Sequence, residues 1–192
     1  MTMVGAMAKV ISRTDTDELV QKACTDADAL GRLYDLYYER IFGFCVHRLF
    51  CRQAAEDVTS TVFLAVARSI KNFNGRSEVD FRNWLYTIAI NQTNAHIRKA
   101  FRRKKLLTEA ALESAFRNDV LEDYSEPDWP MLYQAILKLK PYHQTIVTLR
   151  FFEGLDFETI GRIVNAQPAT VRVTLHRILK KLRNYLQAAE GD

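Results

Sequence analysis

The chain has 192 residues, 48% hydrophobic and 26% charged, a profile that suits one or two small globular domains. With seven Gly, four Pro and no apolar run of about 18 residues, it leaves no room for long low-complexity stretches or a membrane-spanning helix, and a cytoplasmic protein without direct membrane insertion is expected. The 27 Lys+Arg outnumber the 23 Asp+Glu, and the formal charge of +4 hints at a polyanionic partner.

Residues 1–13 show no periodicity and are expected to be disordered. Thr14-x-x-Asp17 has the pattern of a capping box and predicts a first helix; Asp26 or Asp28 is expected to cap the second. From Leu30, the positions Leu33, Tyr34, Tyr37, Ile41, Phe44, Cys45 and Leu49 keep helical spacing. A third helix is predicted over 53–72, with Val58, Val62, Phe63, Val66 and Ile70 on one face. Glu56 and Asp57 are expected in its first turn, where the helix dipole favours acids. Asn74-Gly75-Arg76-Ser77 reads as a loop, and a fourth helix runs from near Asp80 to about Lys105. Residues 107–130 hold Glu109, Glu113, Asp119, Glu122, Asp123, Glu126 and Asp128 against Arg117 alone, and read as an acidic flexible linker. Helical periodicity resumes at Met131, with breaks at Lys140-Pro141, Glu153-Gly154 and 165–168. The expectation is an all-α protein of two small helical domains, 14–106 and 131–187, joined by that linker and followed by a tail, 188–192.

The stretch 155–182 carries the clearest motif. Asp156 can cap a short helix with Ile160 and Ile163 inward, 165–168 form a turn, and Pro168 suits the first position of the next helix. There Val171, Leu175, Ile178 and Leu182 form a buried stripe, leaving Arg172, Val173, His176, Arg177, Lys180 and Lys181 outward. This fits a helix-turn-helix whose second helix enters the major groove; an ordinary helical hairpin with a solvated basic face is the alternative. The fourth helix ends in a basic cluster, Arg98, Lys99, Arg102, Arg103, Lys104 and Lys105, suited to phosphates. Upstream aromatics, Phe73, Phe81, Trp84 and Tyr86, suit stacking on single-stranded bases, although Phe81 and Trp84 also sit at core spacing.

Taken in order, Leu33-Tyr34-Asp35-Leu36-Tyr37, Ala55-Glu56-Asp57-Val58-Thr59, Phe63-Leu64-Ala65, the block Phe81 to Asn91, Glu153-Gly154-Leu155, Glu158-Thr159-Ile160-Gly161 and Thr170-Val171 resemble the extracytoplasmic-function group of sigma factors in the sigma-70 family. The resemblance covers roughly 28–105 and 132–186. It implies a subunit that binds core RNA polymerase and promoter DNA and drives transcription initiation. Core polymerase would meet Glu56, Asp57, Ser60 and Thr61. The −10 element would meet Asn74, Gly75, Arg76, Ser77 and Asn83, with Arg98, Lys99, Arg102 and Arg103 along the backbone. The −35 element would meet Thr170, Arg172, Val173, His176, Arg177 and Lys180. An anti-sigma factor is expected as a further partner.

Several positions depart from the family pattern. Ser60-Thr61 replace a common Gln-Glu pair, the stretch 75–81 is about two residues longer than usual, Ala95 stands for a frequent Asp, Lys140 for a Pro, and Thr174 for a frequent Arg. A helix-turn-helix regulator that binds DNA without polymerase would share the C-terminal motif but not the block Phe81 to Asn91 or the acidic linker. An enzyme is not expected: there is no phosphate loop, no HExxH and no nucleophile–base pair, and His47, His96, His143 and His176 are scattered. Cys24, Cys45 and Cys51 form no disulfide framework. Cys45, His47 and Cys51 lack a recognised ligand spacing, so no metal or cofactor is assigned.

Overall fold

The computed structural model describes residues 13–106 and 130–190, and all regular structure among them is helical. The expected disordered N-terminus, apart from Arg13, and the expected acidic linker, apart from Pro130, lie outside the described residues. Four helices form the N-terminal domain: α1 (Arg13–Ala23), α2 (Ala27–Leu49), α3 (Arg52–Ser69) and α4 (Glu78–Leu106). A 3₁₀ turn, Ile70–Asn72, ends α3. The C-terminal domain holds α5 (Pro130–Leu137), α6 (Pro141–Val147), a π turn (Thr148–Phe152), α7 (Phe157–Val164) and α8 (Pro168–Glu190).

The apolar periodicity converts into two cores. Leu33, Tyr37, Ile41, Phe44, Val62, Phe81 and Leu85 are buried in the first, and Ile146, Leu149, Ile160, Val171 and Ile178 in the second. Fully burying one such side chain contributes about 1.5–3 kcal/mol. Tyr34, at helical spacing with these, is nonetheless 42% exposed. It belongs to a surface row, meeting Tyr38 at 5.3 Å and Phe63 of α3 at 4.7 Å between ring centroids.

Three helix starts differ from expectation. Thr14 and Asp17 lie inside α1, so they do not form its capping box. Asp17 instead accepts a 2.5 Å hydrogen bond from the Glu78 N–H, capping α4 across 61 residues. The capping box falls at Ser77-x-x-Asp80: the Ser77 N–H donates to Asp80 Oδ2 (3.2 Å) while the Asp80 N–H donates to Ser77 Oγ (3.2 Å). Helix α4 therefore begins at Glu78, two residues before the expected Asp80. Helix α3 begins at Arg52, which moves Glu56 and Asp57 out of its first turn; Glu56 pairs with Arg52 at 3.2 Å rather than serving the helix dipole. Asp26 caps α2 by accepting from the Asp28 N–H at 2.9 Å.

The two domains touch. Arg48 at the end of α2 reaches Gln144 of α6, Tyr86 of α4 donates to Glu153 after the π turn, His47 stacks on Phe152 at 4.1 Å, and Phe50 meets Tyr133 edge-on at 5.0 Å.

Candidate nucleic-acid interface

The C-terminal motif is built from local rules. Asp156 caps α7 by accepting from the Thr159 N–H at 2.7 Å, and this bond holds its carboxyl below the usual range. Asn165 ends α7 in the left-handed conformation, φ 52°, a role glycine more often fills. The glycine the turn needs lies one turn earlier: a Cβ on Gly161 would sit 2.5 Å from the Ala166 carbonyl oxygen. That close approach lets α8 cross over α7, and Val171, Leu175, Ile178 and Leu182 are buried beneath it.

On the opposite side of α8, Thr170, Arg172, Val173, His176, Arg177 and Lys180 are all exposed. Val173, an apolar residue, is 51% exposed, which suits a contact surface. The Arg172 guanidinium rests 5.2 Å from the ring centre of Phe157, which also carries Arg150 at 4.9 Å. Arg150 in turn donates to the Leu155 carbonyl at 2.8 Å. Phe157 and Arg150 were not singled out as site residues. The signal lay in an aromatic residue directly after the cap of α7, next to the exposed basic face of α8.

In the N-terminal domain the expected loop is short and held from outside. Its backbone is tied by Gln21, whose side chain donates to the Arg76 carbonyl (3.2 Å), and by Asp80, which accepts from the Arg76 N–H (3.1 Å). The Ser77 hydroxyl and these amides hold the Asp80 carboxyl below its ordinary range. A Cβ on Gly75 would lie 2.2 Å from the Phe73 ring, so the turn needs its glycine to pass that close. Asn74 and Arg76 are exposed, and Gly75, Ser77 and Asn83 are half-buried, with the Asn83 amide oxygen inaccessible and unbonded. Phe81 and Tyr86 are buried, so neither is a stacking platform. Phe73 and Trp84 are half-buried, 4.9 Å apart. Further along α4, Arg98, Lys99, Arg102 and Arg103 are exposed.

On α3, Glu56, Asp57, Ser60 and Thr61 form one exposed patch. The two hydroxyls donate to backbone carbonyls four residues back, Ser60 to Glu56 (3.0 Å) and Thr61 to Asp57 (2.9 Å). Beside them Leu64 is 50% exposed and Phe63 half-buried, joined by Tyr34 and Tyr38 of α2. Leu64, Tyr34 and Tyr38 are not among the expected contact residues; helical spacing placed Tyr34 in the apolar row without marking it as exposed. Cys45 is buried, its thiol pushed up to about 11 by that burial, and His47 is occupied by its stack on Phe152.

A helix-turn-helix with an open basic face is carried beside a four-helix bundle with its own basic helix, two surfaces suited to a polyanion. Residues 33–103 match the family model for Sigma-70 region 2, and residues 130–182 that for Sigma-70, region 4. The chain is 33% identical over 175 residues to the ECF RNA polymerase sigma factor BldN of Streptomyces coelicolor, spanning 88% of this chain and 65% of that protein. It is 32% identical over 180 residues to the RNA polymerase sigma-H factor of Pseudomonas aeruginosa, covering 88% of this chain and 91% of that one. The sigma factor RpoE of Bartonella quintana, solved with the anti-sigma factor NepR, shares the fold with a TM-score of 0.60 at 17% identity, over 82% of this chain and 96% of that one. The chain belongs to the sigma-70 family of RNA polymerase sigma factors, in its extracytoplasmic-function group: a non-catalytic subunit that binds core polymerase and promoter DNA. Among the described residues no helix is long and apolar enough to cross a membrane.

Proposed function

We propose a division of labour along this sigma factor. The exposed α3 patch, Glu56, Asp57, Ser60 and Thr61, docks on core polymerase, with Leu64 and the Tyr34–Tyr38 row as its apolar border. The turn Asn74, Gly75, Arg76 and Ser77, with Asn83, receives a base of the −10 element; flipping that base costs a few kcal/mol, which the pocket and the basic track of α4 must supply. Arg98, Lys99, Arg102 and Arg103 hold the backbone. Thr170, Arg172, Val173 and His176 face base edges of the −35 element, and Arg177 and Lys180 meet phosphates. The observation that carries the reading is the exposed row of α8, raised on a buried stripe by a correctly capped helix-turn-helix.

The Bartonella relative was solved with an anti-sigma factor, which supports a protein inhibitor as a further partner here. Residues 1–13, 107–130 and 188–192 serve as terminal and linking segments around the two domains. Run-off transcription on a promoter library, with and without purified core polymerase, tests the whole. Initiation that needs the core, and Asp57→Arg losing core affinity with unchanged helicity, are the expected results. DNA binding of equal strength and specificity without core would favour a free-standing regulator instead.

A further inference from the structure

The helix-turn-helix carries an aromatic side chain to which the proposed promoter surface gives no role. Phe157, the first residue of α7, is half-buried directly after the cap Asp156. Two guanidiniums lie over its ring: Arg150 of the π turn at 4.9 Å from the centre, and Arg172 of α8 at 5.2 Å. They are not equivalent. Arg150 is half-buried and donates to the Leu155 carbonyl at 2.8 Å, so it is fixed within the turn that leads into α7. Arg172 is exposed near the start of α8, in the row proposed to meet base edges. The acid that follows the ring, Glu158, is paired with Arg162 at 2.6 Å, and among the described residues neither Arg150 nor Arg172 has a carboxylate partner. The ring itself is firmly placed. Asp156 caps α7, Ile160 and Ile163 are buried beneath it, and the approach of Gly161 to Ala166 sets its spacing to α8.

We propose that Phe157 is a positioning residue for −35 recognition: its ring holds the Arg172 guanidinium in place before DNA arrives, and so sharpens preference at the bases Arg172 reads. The proposal rests on the reading that Arg172 faces base edges. An arginine free in water samples many rotamers, and ordering it on DNA costs free energy that a preset side chain has already lost. A ring presets it without consuming what the base contact needs. The negative face of the π system attracts the positive charge. The N–H donors of the guanidinium, which lie in its own plane, stay available for the paired acceptors of guanine. A carboxylate in the same place would occupy those donors. Phenylalanine also has no hydroxyl, so the Phe157 side chain cannot hydrogen-bond a base or a phosphate, and its influence on sequence preference passes through Arg172. Arg150 adds direction. Like charges repel, and the tied Arg150 does not move aside, so its charge keeps Arg172 from folding back onto the π turn.

The test uses the full chain assembled with core polymerase and reads sequence preference by promoter-library transcription. Phe157→Leu keeps an apolar side chain without a π face, and Phe157→Tyr keeps the face. A trifluorophenylalanine in place of Phe157 keeps the shape of the ring but removes its negative face, so a loss there does not come from misfolding. Phe157→Leu and the fluorinated ring should each flatten preference about two- to fivefold, at the same −35 positions that Arg172→Ala relaxes. Phe157→Tyr should preserve it. In an Arg172→Ala background neither Phe157→Leu nor the fluorinated ring should alter preference further. A loss spread evenly over all promoters, a preference untouched by the fluorinated ring, or an undiminished effect in the Arg172→Ala background would overturn the proposal. The two readings fail separately. If Arg172→Ala leaves preference unchanged, the base-edge assignment of Arg172 falls and takes the positioning role with it. If Arg172→Ala relaxes preference and the ring changes do not, the assignment stands and the positioning role alone falls.

Discussion

The two domains solve the same problem, presenting side chains to DNA, by opposite routes. In the C-terminal domain nearly every determinant is local. Asp156 caps three residues ahead, Asn165 turns the chain, Gly161 admits Ala166, and the stripe Val171, Leu175, Ile178 and Leu182 fixes which side of α8 faces out. In the N-terminal domain the turn 74–77 is positioned by partners far away in sequence. Asp17 caps α4, Gln21 holds Arg76, and Tyr37 donates to the Glu78 carboxylate from 41 residues upstream. The recognition helix is thus specified where it stands, while the proposed −10 pocket depends on α1 and α2 being folded around it.

Substitutions can probe that contrast. The largest effect is expected from Gly161→Ala. Its Cβ meets backbone rather than a yielding side chain, so the turn must shift, at about 1–3 kcal/mol for overpacking. Thermal unfolding monitored at the C-terminal domain should fall while core binding through α3 persists; an unchanged midpoint would remove Gly161 from the local determinants. Next come the residues proposed to face the groove. Arg172→Ala should relax preference at one or two −35 positions by about 1–3 kcal/mol, whereas Lys180→Ala should weaken all sequences alike and lower the salt slope by about one. Promoter-library transcription at two salt concentrations separates them, and a uniform loss from Arg172→Ala would move it to the backbone class.

Smaller effects are expected in the N-terminal domain. Asp17→Ala removes a helix cap, about 1 kcal/mol, but acts at a distance: open-complex formation, read by permanganate footprinting, should decline although the variant lies on α1. A full bubble would mean the pocket does not need this tie. The smallest effect concerns Asp80. Its folded-state pKa is depressed, so the stability from its cap is present above the ordinary carboxylate value of about 3.9 and is lost as pH falls through the lower folded value. An NMR titration of the Asp80 carboxyl should therefore show its inflection below the ordinary value, and one at or above it would leave the cap without electrostatic weight.

The same contrast explains what the sequence revealed. The cap at Asp156, the turn after it, and the inward and outward rows of α8 follow from short-range chemistry and were readable. The pattern Thr14-x-x-Asp17 and the pattern Ser77-x-x-Asp80 look alike on paper, yet only the second caps its own helix. No local rule marks Asp17 as the partner of a backbone amide 61 residues on. Tyr34 kept core spacing but lies at the edge of the stripe, where a ring can lean on Phe63 and remain wet. Nothing in periodicity foretold that Arg48 would find its acceptor on the other domain, because a buried guanidinium held by amides leaves no pattern in sequence.

Phe50 holds a left-handed backbone conformation, φ 53°, at the end of α2. For a residue with a Cβ this conformation costs roughly 1–2 kcal/mol, and glycine would adopt it freely. The ring it carries instead is buried and meets Tyr133 across the domain boundary. Phe50→Gly would therefore relax the corner between α2 and α3 while deleting one aromatic anchor, so an engineer who sought a tougher N-terminal domain by this route would obtain a looser coupling between the two halves of the chain. Local comfort and long-range grip compete at a single side chain, and the residue present favours grip.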